Sequence, residues 1–226
     1  MSWVTRNLKN LLTTAMVGLI MLIGLPTFFY VTTQYTKQLV DDRGEILYSL
    51  ANTAATVIAE NLRERKREVE LLAETSLYTR APLDSPDFQQ SLDRLQASYP
   101  YYSWIGLVDL EGVVKVATGG LLVGQSVAQQ PWFRQSSAGT YIGDVHNAKL
   151  LAKLLPARPD GLPIRLLDFS TQIKDAVGNP RAVLGIHAYW EWSSELIRVV
   201  TPKGAQDEAI EFFIVNQDNT IIFPST

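Results

Sequence analysis

The feature that most constrains this chain is a stretch without charge: between Lys9 and Lys37 there is no Asp, Glu, Lys or Arg. Within it, Leu11 to Val31 reads LLTTAMVGLIMLIGLPTFFYV, long enough to cross the hydrocarbon core of a bilayer as one helix. A cleaved secretory signal has a shorter apolar core and ends at a small-residue site, and no A-x-A-like site follows before Tyr35. An uncleaved anchor over residues 11–31 is therefore expected. Arg6 and Lys9 precede it with no acidic neighbour, whereas Lys37 and Arg43 on the far side are mixed with Asp41 and Asp42. The positive-inside tendency then keeps residues 1–10 in the cytoplasm and puts everything after about residue 34 outside it. The expected placement is a single pass through the inner membrane with a periplasmic main domain. Tyr30, with Phe28 and Phe29, suits an interfacial aromatic anchor, and Pro26 is a candidate kink.

The helical period continues beyond the anchor. From Thr36 to about Leu77 there is no proline, and Leu39, Ile46, Leu50, Ala54, Val57, Ile58, Leu62, Val69 and Leu72 recur at helical spacing. A long helix over residues 35–80 is predicted, with a stretch of roughly 60 Å at 1.5 Å per residue. Its run Arg63-Glu64-Arg65-Lys66-Arg67-Glu68 reads as a solvated face laced with opposite charges rather than a binding patch. Pro82, Asp84 and Pro86 end the pattern, and Ser85 or Asp87 caps a further helix running to about Ser98.

From residue 103 the period changes to two. Trp104–Asp109 and Val113–Ala117 flank Leu110-Glu111-Gly112, a β-hairpin signature. Arg165–Ile173 and Arg181–Trp190 form a second pair around Asp175–Pro180, and residues 119–163 between the pairs mix turns with a short helix near Pro131–Ser137. Glu191–Val200 is predicted helical. The fold class is α+β: an N-terminal apolar helix continuing into a long helix, then an antiparallel sheet with flanking helices. Ile210–Val215 and Thr220–Phe223 make one more hairpin with no sheet left to join, as though the chain stopped where a second subdomain starts.

Composition removes whole classes of function. Of 226 residues 46% are hydrophobic, the net charge is −3 and no basic cluster marks the soluble part, so nucleic acid is not an expected partner. There is no cysteine and there are two histidines, His146 and His187, which excludes disulfides, thiolate zinc sites and cysteine nucleophiles. No Walker loop, kinase motif or nucleophile elbow is written in these residues, and Ser136 with His146 and Asp144 lacks the setting of a hydrolase triad. No enzyme activity, catalytic residue, metal site or cofactor is expected.

The order of elements resembles the double Cache sensor domains of bacterial transmembrane receptors. The matching stretches are Tyr101–Gly120 (YYSWIGLVDLEGVVKVATGG), Gln130–His146 (QPWFRQSSAGTYIGDVH) and Leu166–Trp192 (LLDFSTQIKDAVGNPRAVLGIHAYWEW). YIGDVHNAKLLAKLLP and AVLGIHAYWEW are similar to the sensor regions of transmembrane diguanylate cyclases, whose GGDEF domain this chain does not contain. Histidine kinases and chemotaxis receptors use the same sensor. The resemblance implies a PAS-like, membrane-distal lobe over residues 81–204, the start of a proximal lobe over 205–226, and a small-molecule ligand. It also implies transmembrane signalling through a helix paired with that of a second copy, for which the apolar stripe offers a seam. A membrane-anchored adaptor binding a partner protein through the long helix is the reading from another class.

The resemblance also nominates a pocket. Amino-acid-binding members carry an arginine two positions before a tryptophan-tyrosine pair, then a tyrosine, then acidic residues. Trp132 and Tyr141 match, and Asp144 lies near an acidic position. Gln130 stands where the arginine would, Phe133 where the tyrosine would, and His187 where the last aspartate would, so the bidentate clamp for a carboxylate is gone. Gln130, Trp132, Tyr141, Asp144, His146 and His187 are the candidate ligand-binding residues. Each has a plainer role open to it: Trp132 and Tyr141 as core, Asp144 as a turn cap. Lys149 and Lys153 are expected to face solvent.

Overall fold

The structure is a computed structural model, and it describes residues 2–201 and 210–224. By its internal contacts the chain divides into two units, Met1–Asn52 and Thr53–Thr226. The first is helical throughout its described residues, belonging to α1 (Ser2–Ala73), and Pro26 is accommodated inside that helix. Its apolar side chains, among them Leu12, Met16, Ile20, Ile23 and Phe29, are exposed. Among the described residues one helix is long and apolar enough to cross a membrane.

The second unit begins with the last turns of α1. The predicted helix to residue 80 is broken: α1 stops at Ala73 and α2 (Ser76–Arg80) restarts after Thr75, whose extended backbone (φ −66°, ψ 154°) leaves the helical region. α3 (Pro86–Ser98) starts as its sequence dictates. The Ser85 hydroxyl accepts from the Asp87 N–H at 3.3 Å, and Pro86 occupies a first-turn position where no N–H is needed. Its Phe88 and Leu92, one turn apart, are buried, and Phe88 meets Tyr78 of α2 edge to face at 5.2 Å.

The sheet is antiparallel throughout. β1 (Tyr102–Val108) and β2 (Val114–Ala117) form the first hairpin, where Asp109 Oδ1 accepts from the Val113 N–H at 2.7 Å and Gly112 supplies φ +85°. β5 (Arg165–Lys174) and β6 (Pro180–Tyr189) form the second. The crossover between them carries α4 (Pro131–Gln135), β3 (Tyr141–Ile142) and β4 (His146–Asn147). The strand order is β2-β1-β6-β5-β3, with β4 also pairing β5. β1 pairs β6, so the two hairpins close into one sheet at its centre, and all seven residues of β1 are buried. The crossover returns to the outer edge of β5 in two short pieces, at Ser170–Phe169 and at Leu166–Arg165.

Period two sorts the side chains between two apolar layers. Ile105, Leu107, Phe169, Leu184 and Ile186 face Val69 and Ala73 of α1, Tyr78 of α2, and Phe88 and Leu92 of α3. Trp104, Val108, Leu166 and Val183 face the crossover, against Leu122, Val127, Trp132 and Leu151. The start of β1 is also tied to α1: the Arg65 guanidinium lies 4.9 Å from the Tyr99 ring centre and 5.6 Å from that of Tyr101, while the Tyr102 hydroxyl donates to Glu68 Oε2 at 3.0 Å.

α5 (Trp192–Val200) follows β6 and buries Ser193 and Ile197. β7 (Ile214–Val215) and β8 (Ile221–Phe223) form the expected last hairpin as a separate two-stranded sheet. It does not stand alone, however. Ile222 is buried in the helix-side core, and its carbonyl accepts from Trp190 Nε1 at 2.8 Å and from an Arg165 guanidinium N–H at 3.2 Å. The tertiary anchor missing from the sequence reading is thus a pair of side-chain donors to one backbone oxygen. The boundary expected at residues 204–205 lies outside the described residues.

Candidate functional site

Between the crossover and its face of the sheet lies a cavity of about 310 Å³, and all six predicted residues line it. They come from three places. Gln130 and Trp132 belong to the start of α4, Tyr141 to His146 to the returning chain, and His187 to β6.

The floor is set by strand register. Trp104 of β1 pairs with His187 of β6, and His187 pairs with Asp168 of β5, so three side chains stand in one row on one face. In the next row Gly106 pairs with Gly185, and Gly185 with Ser170. The absent side chains make room for rings. A Cβ on Gly106 would come within 2.2 Å of the Trp104 indole, and one on Gly185 within 2.6 Å of the Trp132 indole. Trp132, only 3% exposed, is held down by its own carbonyl, which accepts from the Ser170 hydroxyl at 2.7 Å.

Both indoles lie against the His187 ring, at centroid distances of 5.1 Å for Trp104 and 5.4 Å for Trp132, and they are 5.9 Å from each other, so the three rings form a triangle. His187 Nδ1 lies 2.5 Å from Asp168 Oδ1. A carboxylate accepts only, so Nδ1 carries the hydrogen and Nε2 is the nitrogen left over. The other Asp168 oxygen, Oδ2, faces His146 Nε2 at 3.7 Å. His146 Nδ1 in turn lies 3.1 Å from the Asp144 carbonyl, and that pairing requires Nδ1–H as well.

The mouth is made where the returning chain leaves β5. The Gly143 N–H donates to the Asp168 carbonyl at 2.8 Å, after which residues 143–145 bow away before β4 resumes pairing. Asp144 has part of its acceptor capacity taken: Oδ1 receives its neighbour Val145 N–H at 2.7 Å and Oδ2 the Gln217 N–H at 3.4 Å. The turn-capping role weighed for it is therefore present alongside its place on the wall. Burial raises the Tyr141 hydroxyl pKa, with the Asp168 and Asp144 carboxylates adding to the effect, so this corner of the cavity disfavours a further negative charge.

Two charged lining residues were missed from the sequence. Asp168 lies inside the apolar run Leu166-Leu167-Asp168-Phe169, and a lone acid on a strand that is buried on both faces was the available signal. Lys149, expected to face solvent, is exposed and also lines the cavity. Among the described residues no three His, Asp or Glu side chains converge as a metal centre. The cavity offers two carboxylates, two imidazoles, a phenol, an amide and an ammonium between aromatic and aliphatic walls, the make-up of a site for one small polar molecule.

No family model matches the chain, and no curated protein matches it in sequence. Solved structures do match its fold. An extracellular ligand-binding receptor from Desulfohalobium retbaense superposes with a TM-score of 0.58 at 14% identity, over 77% of this chain and 30% of that one. The ligand-binding domain of the Pseudomonas aeruginosa amino acid chemoreceptor PctB, solved with L-arginine, gives a TM-score of 0.54 at 18% identity, over 73% and 64%. The sensor domain of the V. cholerae histidine kinase DctB gives 0.51 at 13% identity, over 73% and 61%. The chain spans less than two thirds of each of these structures. At such identities the likeness is one of fold: the fold of this chain is that of extracellular ligand-binding sensor domains of chemoreceptors and histidine kinases.

Proposed function

We propose that this chain is the ligand-sensing region of a single-pass membrane receptor, with residues 11–31 in the bilayer, residues 1–10 in the cytoplasm and the lobe outside. The observation that carries the reading is the cavity between crossover and sheet, lined by Gln130, Trp132, Tyr141, Asp144, His146 and His187, on a fold shared with sensor domains. A small molecule closing that cavity shifts the long helix against that of a second copy, by an amount limited by its differential affinity for the two states. The long helix, which ends at Ala73, the lobe at 81–204 and the start of a second lobe at 205–226 are the parts of this proposal. For the output, the strings YIGDVHNAKLLAKLLP and AVLGIHAYWEW favour a diguanylate cyclase. A histidine kinase or a chemotaxis receptor fits the fold equally.

Thermal unfolding of the full chain in detergent micelles, screened against a panel of small metabolites, tests the reading. A compound bound at 100 times its Kd stabilises the folded state by about 2.7 kcal/mol. The expected result is such a shift from one chemical class, abolished by Trp132→Ala. If no compound shifts a well-folded sample while a partner protein captures it through α1, the adaptor reading replaces this one.

A further inference from the structure

The cavity contains a group of side chains that no ligand is needed to explain. Asp168 stands between two imidazoles, with His187 Nδ1 at 2.5 Å from one oxygen and His146 Nε2 at 3.7 Å from the other. The two histidines of the whole chain, 41 positions apart, thus meet one buried carboxylate from opposite sides. Their hydrogen bonds fix where a further proton goes. On His146 the Asp144 carbonyl holds the hydrogen on Nδ1, so neutral Nε2 turns a lone pair toward Asp168. Two acceptors then face each other, and protonation converts that contact into an N–H directed at a carboxylate. On His187 the Nδ1–H is already donated, and the added proton goes to Nε2, on a ring that lies tilted over the Trp104 indole and at right angles to Trp132.

We propose that Asp168, His187 and His146 form a proton-binding site inside the cavity, and that its occupancy reverses the sign of the charge the cavity presents. The ligand is the proton itself, so the inference goes beyond the sensor reading and does not rest on it. The other charged and titratable groups around the cluster are few. The crossover contributes Asp144, Tyr141 and Lys149, and β6 carries Tyr189 two residues beyond His187 on the same face. Arg134 on α4 is engaged by the Ala128 carbonyl, and Arg165 on β5 by the Ile222 carbonyl. With both imidazoles neutral, the carboxylates of Asp144 and Asp168 outnumber the ammonium of Lys149 and the cavity favours a cation. With both protonated, three cations face two carboxylates and it favours an anion. Histidine is the side chain that makes this change between about pH 5 and 8.

Two histidines in the sequence make the test direct. The full chain in detergent micelles, labelled with ¹⁵N at histidine, is titrated with acid while tryptophan emission is recorded. On acidification both imidazoles are expected to take up a proton, His187 starting as the Nδ1–H tautomer, with tryptophan emission falling in step as the ring beside the two indoles becomes a cation. Asp168→Asn removes the carboxylate that faces both rings, and proton binding at each histidine is expected to weaken. Failure leaves the small-molecule reading untouched, since a thermal shift with a metabolite is scored separately. Should Asp168→Asn not fold, His187→Gln is expected to abolish the emission step and His146→Gln to preserve it. A His187 signal that stays neutral to pH 5, unchanged midpoints in Asp168→Asn, or an emission step that survives in His187→Gln overturns the proposal.

Discussion

His187 on β6 and Asp168 on β5 are cross-strand partners joined at 2.5 Å, and each side chain is only 8% exposed. Removing the acid alone leaves a buried polar ring beside two indoles without its acceptor. Asp168→Ala is therefore expected to destabilise the lobe by about 1–3 kcal/mol, read as a lowered midpoint in thermal unfolding of the full chain. Asp168→Asn keeps an acceptor oxygen in place and is expected to lose less. Equal losses in the two variants would mean that the hydrogen bond contributes nothing.

The paired glycines give a second prediction. Gly185→Ala places a methyl group 2.6 Å from the Trp132 ring, and Trp132 is pinned by Ser170, so the indole must tilt into the cavity or lift the crossover. Overpacking of this kind costs about 1–3 kcal/mol. A shifted tryptophan emission maximum together with lowered thermal stability is the expected outcome, and unchanged values for both would show that the floor yields freely.

The contrast between these two positions shows what was legible in the sequence. β1, β2, β5 and β6 were readable because each has a clear period or apolar run and each pair is closed by a turn with its own chemistry, Leu110-Glu111-Gly112 and Asp175–Pro180. β3 and β4 were not, since two residues apiece are too short to show a period. The break in the helix after Ala73 was hidden because Glu74-Thr75 carries neither glycine nor proline. Trp132, Tyr141 and the two histidines came from a family likeness, whereas Asp168 was within reach of counting. Five residues outward on each strand from the Ile173–Ala182 pair places Asp168 opposite His187.

The last loop of the crossover, before β5, carries its own pH dependence. The Asp160 carboxyl accepts a side-chain hydrogen bond from Arg158 and the Leu162 N–H at 3.1 Å, which hold its pKa down at about 2. A depressed folded-state value means that the contribution is present above the ordinary carboxylate value of about 3.9 and is lost as pH falls through the folded one. Asp160 is expected to remain ionised at pH 3, with NMR of its carboxyl carbon as the check. Arg158→Gln should return its titration toward the ordinary range.

The last hairpin is held by few bonds, and Trp190→Phe removes one of them. The ring still packs, but the donor to the Ile222 carbonyl at 2.8 Å is gone, a loss of about 0.5–1.5 kcal/mol. Residues 210–224 are expected to be cleaved sooner in limited proteolysis while β1, β2, β5 and β6 stay protected. Cleavage at an unchanged rate would assign the anchoring to Ile222 burial and Arg165.

That hairpin has a practical consequence for anyone trimming the protein. Its turn reaches Asp144 through the Gln217 N–H, and its second strand reaches Trp190 and Arg165 through Ile222. The described residues 210–224 thus join the rim around the opening to the second hairpin, and a shortened chain that keeps these contacts is cut after Phe223 rather than at the end of α5.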